Sequence, residues 1–352
     1  MLIQNAELKL IRLPLLRPVR TPYGELAEFE TLIFTLNSAS GAGRAELPIT
    51  LFPDADLTYF ASTLEKEIIP TLENQSISDT ATIRKLLGKW GRNPTLYALV
   101  EMAWFELQAV EKNQSLTQIL GGETVSQQVF TSEDEPELTE AGVPDADIFL
   151  DRIQKRFQDG YVHLELKIRP GWDIAMVRTV RQENPSASFH LDFEGALGVS
   201  NYDTIFQLRD FFPFMLEQPF SVEELVEDAE LQKLVTCPVA LDESVTSPGI
   251  VAAALRLGST RLVRINPLRC GGYENAREIL AMCREAEVDC WISSPLSSGI
   301  AVRANLAFSC LDGFTGPFEY YDLTEYFSSE SLTQLELPPS LTLDEENSLR
   351  IE

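Results

Sequence analysis

Four strand-like apolar runs, HLELK, FHLD, FMLE and VALD, end in Lys167, Asp192, Glu217 and Asp242. The intervals 167 to 192, 192 to 217 and 217 to 242 are each 25 residues. A repeat of that length suits one strand, one helix and two loops. Strands in such a series lie parallel, and a closed ring of them is a (β/α) barrel whose chemistry sits at the strand C-termini. The spacing therefore predicts three carboxylates and a lysine at one mouth. Carboxylates so gathered repel unless a cation holds them, and hard oxygen donors suit Mg²⁺, with Mn²⁺ as a substitute.

Strand alternation sharpens this expectation. His163, Glu165 and Lys167 share one face of their strand, and His190, Asp192 and Glu194 share one face of the next. If the leucines between them face outer helices, the charged residues point into the barrel. A lysine beside a bound metal has its ammonium form disfavoured and can act as a base. Base plus metal suggests proton abstraction next to a carboxylate, with the metal stabilising an enediolate. A structural ion network explains one such lysine equally well, but explains four polar strand ends in register poorly.

The surrounding elements must position these groups. Residues 1–125 read as an α+β unit with strands at 3–13, 28–37 and 42–47 and helices at 55–70, 79–90 and 94–111. The last helix is apolar around much of its circumference and should be buried. The segment 17–24 is rich in turn formers and reads as a mobile loop. Residues 126–320 carry the βα rhythm, and 321–352 read as extended pieces returning to the first domain. The opening residues alternate polar and apolar, which suits a strand and not a signal peptide. No apolar run is long enough to span a bilayer. The five cysteines include no CxxC pair, which favours reduced thiols in a cytoplasm. A net charge of −26 excludes the basic footprint that nucleic acids or anionic membranes require. The oligomeric state is not legible.

At this point the chain resembles the enolase superfamily. The segments are GYVHLELKIRPGWD (160–173), FHLDFEG (189–195), LEQPF (216–220), ALDESV (240–245) and INPLRCGGYENARE (265–278). The text is most similar to the o-succinylbenzoate synthase group, which includes members that racemise N-acylamino acids. The resemblance implies an α+β capping domain on a modified (β/α) barrel, with Asp192, Glu217 and Asp242 as Mg²⁺ ligands and Lys167 as the base of a dehydration. It implies a lyase forming o-succinylbenzoate in menaquinone biosynthesis from a small carboxylate substrate. Two lysines of the family pattern are replaced, by Glu165 in Lys-x-Lys and by Asn266 in Ile-Lys-Pro. Glu194 stands where an asparagine is common, and Ser293–Gly299 replaces a segment rich in Gly, Met and Glu. With Asn266 unable to move a proton, racemisation lacks its second base, whereas a syn dehydration needs one. The alternative is a metal-binding homologue that is silent or acts on another acid.

Weaker candidates remain. Arg20, Ser294 and Ser297 could contact a substrate carboxylate. Gly271-Gly272 before a helix could cradle a phosphate, although such pairs are common in barrels. His163 and His190 are expected to pack below the site, and Trp172 and Trp291 to serve as packing.

Overall fold

The computed structural model describes residues 1–21, 24–52, 56–133, 146–168 and 173–335, together with 348–349. Strands β1 (Asn5–Thr21), β2 (Gly24–Ser38) and β3 (Gly41–Pro48) form an antiparallel meander. The first hairpin is longer than expected: β1 continues through 17–21, where the sequence predicts a loop, and residues 22 and 23 lie outside the described set. Pro14 and Pro18 both lie on this strand. The register does shift between Pro14 and Val19, but β1 is an edge strand, where missing amide donors cost little.

Helices α1 (Leu57–Thr63), α2 (Ile69–Leu72), α3 (Thr80–Leu87), α4 (Pro94–Lys112) and α5 (Leu116–Leu120) complete the first domain. Helix α4 starts at Asn93, whose side chain accepts from the Leu96 amide, followed by Pro94 at the first helical position. It is buried on most sides, as its composition predicts. It lies so close to β3 that a Cβ at Gly43 would come within 2.2 Å of the Ala103 carbonyl.

The barrel follows in strict alternation: β4 (Gln127–Glu133), α6 (Ala146–Gln158), β5 (His163–Lys167), α7 (Asp173–Glu183), β6 (Phe189–Asp192), α8 (Tyr202–Arg209), β7 (Leu216–Glu217), α9 (Leu225–Leu234), β8 (Val239–Leu241), α10 (Pro248–Leu257), β9 (Leu262–Ile265), α11 (Tyr273–Glu285), β10 (Asp289–Ile292), α12 (Gly299–Ser309) and β11 (Phe318–Glu319). Neighbouring strands pair in parallel in sequence order, and β11 returns to β4. At the seam between β10 and β11 the Thr315 amide donates to the Cys290 carbonyl at 2.9 Å. The eighth strand is only two residues long, too short to leave an apolar run in the sequence.

In the tail, residues 332–335 close the short helix α13 (Ser329–Leu332) and a turn instead of extending. Tyr326 accepts from the Leu16 amide and Phe327 packs edge-on against Phe29, both of the first domain. Strand β12 (Ser348–Leu349) instead pairs antiparallel with β4 of the barrel. No described helix is long and apolar enough to cross a membrane, and the five cysteines are free thiols.

Candidate active site

The inward-facing side chains stack in layers. Phe130, Met215, Ala240, Leu262 and Trp291 form an apolar floor, with His163 and His190 set among them. Above it lies a charged layer of Glu165, Glu217, Arg264 and Glu319, all buried. Lys167, Asp192, Asp242 and Asn266 occupy the mouth. The 25-residue spacing is real register: Lys167 is the Cα partner of Asp192, and Asp192 of Glu217. Asp242 lies two residues beyond Ala240, the partner of Glu217. Gln218 fixes that offset, its side-chain Oε1 accepting from the amides of Asp242 and Ser244, both at 3.1 Å.

Lys167 Nζ is held by three carboxylates: Asp192 at 2.8 Å, Glu165 at 3.1 Å and Glu194 at 3.2 Å. Burial alone would lower its pKa, but these neighbours outweigh it and hold the ammonium form well above the usual lysine range. Burial likewise works against ionised Glu165, yet Lys167, His190 and Arg264 keep it well below the ordinary carboxylate range. Glu217 goes the other way. Burial, with Asp192, Glu165 and Asp242 adding, pushes it well up in spite of Arg264.

Arg264 is the main feature that the sequence reading missed. Its Nη1 donates to Glu165 Oε2 and to both oxygens of Glu217, each at 2.7 Å, and its Nη2 donates to Glu319. The signal was available, since Arg264 shares strand parity with Asn266. Arg269, also missed, donates to Asp242 Oδ1 at 2.6 Å. It helps hold Asp242 low against the raising effect of burial.

Asn266 is spent on the backbone. Its amide donates to the Ser293 carbonyl at 2.9 Å and its oxygen accepts from the amides of Leu268 and Arg269. Its side chain thus pins the turn after β9. The Ser294 amide donates to Glu319 at 2.7 Å, and its hydroxyl accepts from Asn305 at 3.2 Å. The buried Ser297 hydroxyl has no hydrogen-bond partner among the described residues. It lines a small cleft between Pro48, Leu51 and Met102 of the first domain and Asn266, Leu268 and Asn305 of the barrel. Arg20 pairs along its own hairpin with Glu25 at 3.7 Å, whereas Arg17 reaches the barrel at Glu133, 3.5 Å away.

The phosphate cradle expected at Gly271-Gly272 is filled by protein. The carboxylate of Glu101, on α4, accepts from the Tyr273 and Glu274 amides at 2.7 and 3.1 Å, taking the anion position at the start of α11. Burial pushes Glu101 up to about 7 in spite of these bonds. Glu46 does the same at α12, accepting from the Ser298 and Ala301 amides at 2.9 and 3.0 Å. Two first-domain carboxylates thus dock onto two barrel helices. Trp291 packs in the floor, and Trp172 lies outside the described residues.

The donor set fits a divalent cation. The carboxylates of Glu165, Asp192, Glu194, Glu217, Asp242, Glu243 and Glu319 outnumber the cations Lys167, Arg264 and Arg269. The surplus shows in Asp192, Glu217, Glu243 and Glu319, all pushed up first by burial and then by neighbouring carboxylates, Glu165, Glu194 and Asp242 among them. Glu243 Oε2 is buried with no hydrogen-bond partner among the described residues. Glu165, His190 and Glu217 also bring one ligand atom each within 4.8 Å of one another. Two members of that triplet, Glu165 and Glu217, already hold the Arg264 guanidinium, a built-in cation.

Comparison with known proteins agrees with this architecture. The chain belongs to the enolase C-terminal domain-like family, whose model matches residues 149–342. It is 27% identical to an N-succinylamino acid racemase of Thermus thermophilus over 94% of this chain and 88% of the relative. It is 29% identical to an o-succinylbenzoate synthase of Enterococcus faecalis over 94% of this chain and 90% of the relative. A solved structure of an enolase superfamily member from Listeria innocua superposes with a TM-score of 0.85 at 26% identity, covering 99% of this chain and 92% of that one.

Proposed function

We infer that the chain is a Mg²⁺-dependent carbon–oxygen lyase that forms o-succinylbenzoate by syn dehydration in menaquinone biosynthesis. The observation that carries this choice is the single base. Of the lysines between residues 126 and 320, Lys155 and Lys233 ride the outer helices, and Lys167 alone lies on the inner face of the barrel. Relatives bear the names of both synthases and racemases. Racemisation needs a proton-transfer group on each face of the substrate, and Asn266 is committed to backbone. A syn dehydration uses one group twice. In this reading Lys167 removes the α-proton and returns it to the departing hydroxyl, and no net charge is left on the protein. A cation on Asp192, Glu217 and Asp242 would supply Lewis-acid stabilisation of the enediolate and compete with Lys167 for Asp192.

A second reading, a homologue that is silent or acts on another carboxylate, draws on the three-carboxylate clamp that holds Lys167 as an ammonium. One assay separates them. The wild-type protein is incubated with the hydroxycyclohexadiene carboxylate precursor of o-succinylbenzoate, with Mg²⁺ or with EDTA, and in parallel with N-succinylamino acids of one hand. Mg²⁺-dependent aromatisation without stereoinversion is expected. Stereoinversion at an enzymatic rate would require a second base and overturn the choice. Silence toward both favours the second reading.

A further inference from the structure

Helices α9 and α10 pack side by side on the outer wall of the barrel and run in the same direction, as successive crossovers of parallel strands do. An outer helix normally turns its apolar side to the strands and its polar side to water. Neither of these two does. On α9, Val226 and Leu234 are each 55% exposed, while Asp228 between them is fully buried. Glu223, Val226, Glu230 and Lys233 follow one another at steps of three and four, so they share the outward arc with Leu234, and all five are exposed. Helix α10, PGIVAAALRL, has Arg256 as its one charged residue. Ile250 and Leu257 are exposed on its outward side, with the small Ala253 between them. An apolar strip therefore runs down both helices, from Val226 and Ile250 near their starts to Leu234 and Leu257 at their ends. Exposed strips of this kind mark protein contacts.

The charges along the strip select the partner. A net charge of −26 makes copies of this chain repel one another at a distance. Contact between copies therefore needs a face poor in carboxylates, and α10 has none. Glu223 lies at the upper end of the strip and Arg256 at the lower end, and neither has an ion-pair partner among the described residues. Glu230, between them, is neutralised by Lys233 at 2.6 Å. A strip that is acidic at one end, basic at the other and neutral between is complementary to itself turned end for end, which is what a two-fold axis requires. A basic partner would meet only Glu223 unneutralised on the outward arc of α9. We propose that the outer face of α9 and α10 is a two-fold interface between copies of this chain. The helices run antiparallel across the axis, with Ala253 near it and Arg256 of each copy against Glu223 of the other. Two helices of ten residues each present a face about 15 Å long and about 20 Å wide, on the order of 300 Å² per copy. Stable dimers bury about 800 Å² per partner, so this one is weak and reversible. The interface lies outside the barrel wall and does not depend on the reaction assigned to the mouth.

Sedimentation velocity from micromolar to several hundred micromolar protein tests this. The wild type should pass from monomer to dimer across that range and stop at the dimer. Ala253→Glu places a carboxylate near the axis on a helix former, so it should keep the wild-type melting temperature and remain monomeric throughout. Arg256→Glu and Glu223→Arg should each raise the dissociation constant about tenfold, the scale of two exposed ion pairs reversed at once. The double variant Glu223→Arg with Arg256→Glu should return it to near the wild-type value. That return is specific to an end-for-end arrangement, and both sites are on the surface, so this arm stands even if Ala253→Glu fails to fold. A wild type that stays monomeric, growth beyond the dimer, a dimer that survives Ala253→Glu, or a double variant no better than either single one overturns the proposal. Loss of dehydratase activity with this pattern intact would count against the lyase assignment alone.

Discussion

Replacing Arg264 with Met should destabilise the protein more than any other single change at the site. Met roughly keeps the volume and removes the charge. In the wild type one guanidinium serves three buried carboxylates, with Nη1 2.7 Å from Glu165 and from both oxygens of Glu217, and Nη2 on Glu319. Removing one partner of a buried pair leaves an uncompensated charge and costs about 3–5 kcal/mol. Protonation of Glu217 and Glu319, already pushed up by burial, limits that cost at acid pH. In the variant their folded pKa values rise further above the unfolded ones. Stability is therefore greatest below the unfolded carboxylate pKa and is lost as pH rises. Urea unfolding of both proteins from pH 5 to pH 8 should show a deficit that widens with pH. Adding Glu165→Gln should cost less than the sum of the two single changes, because the residues are in contact. A deficit below about 1 kcal/mol, or one independent of pH, would refute the view that Arg264 neutralises this layer.

Asp228 on α9 is fully buried, and neither carboxylate oxygen has a hydrogen-bond partner among the described residues. Burial, with Glu224 and Glu227, pushes it from 3.8 up to about 8. A raised folded pKa means that stability is full below pH 4 and falls until about pH 8, by roughly 6 kcal/mol at most. Asp228→Asn should therefore be more stable than wild type at pH 8 and no better at pH 4; parallel stability curves in urea would contradict this. Gly272 has φ +103°, and a Cβ there would sit 2.3 Å from Glu101 Oε2. Gly272→Ala should cost at least about 1–3 kcal/mol of unfolding free energy. Asn266→Lys should lower the melting temperature without conferring stereoinversion, since it removes the acceptor for the Leu268 and Arg269 amides.

Much of this site was legible because the barrel repeats. Lys167, Asp192 and Glu217 end successive strands, and parallel pairing converts equal spacing into adjacency. Parity placed Glu165 inward for the same reason. What escaped lacked a repeat. Glu319 sits on a two-residue strand with no apolar run around it. Arg264 was hidden by convention, because a charge inside a strand reads as solvated when its partners lie 47, 55 and 99 residues away. Gly271-Gly272 suggested a ligand because a helix start attracts anions, but no local pattern could reveal that Glu101, 172 residues from Tyr273, fills the place. The segment 17–21 was misread because prolines mark turns more often than edge strands.

The central claim is that Lys167 is the sole base above a cation held by Asp192, Glu217 and Asp242. The most direct measurement compares Mg²⁺-dependent dehydration of the hydroxycyclohexadiene carboxylate by wild type and Lys167→Ala, with Mg²⁺ binding by both followed through the thermal shift. The expected result is a loss of turnover of at least about 10²–10⁴-fold in Lys167→Ala, with the Mg²⁺-induced shift preserved in it. Comparable turnover in the two proteins, or a wild-type melting curve indifferent to millimolar Mg²⁺, would contradict the assignment.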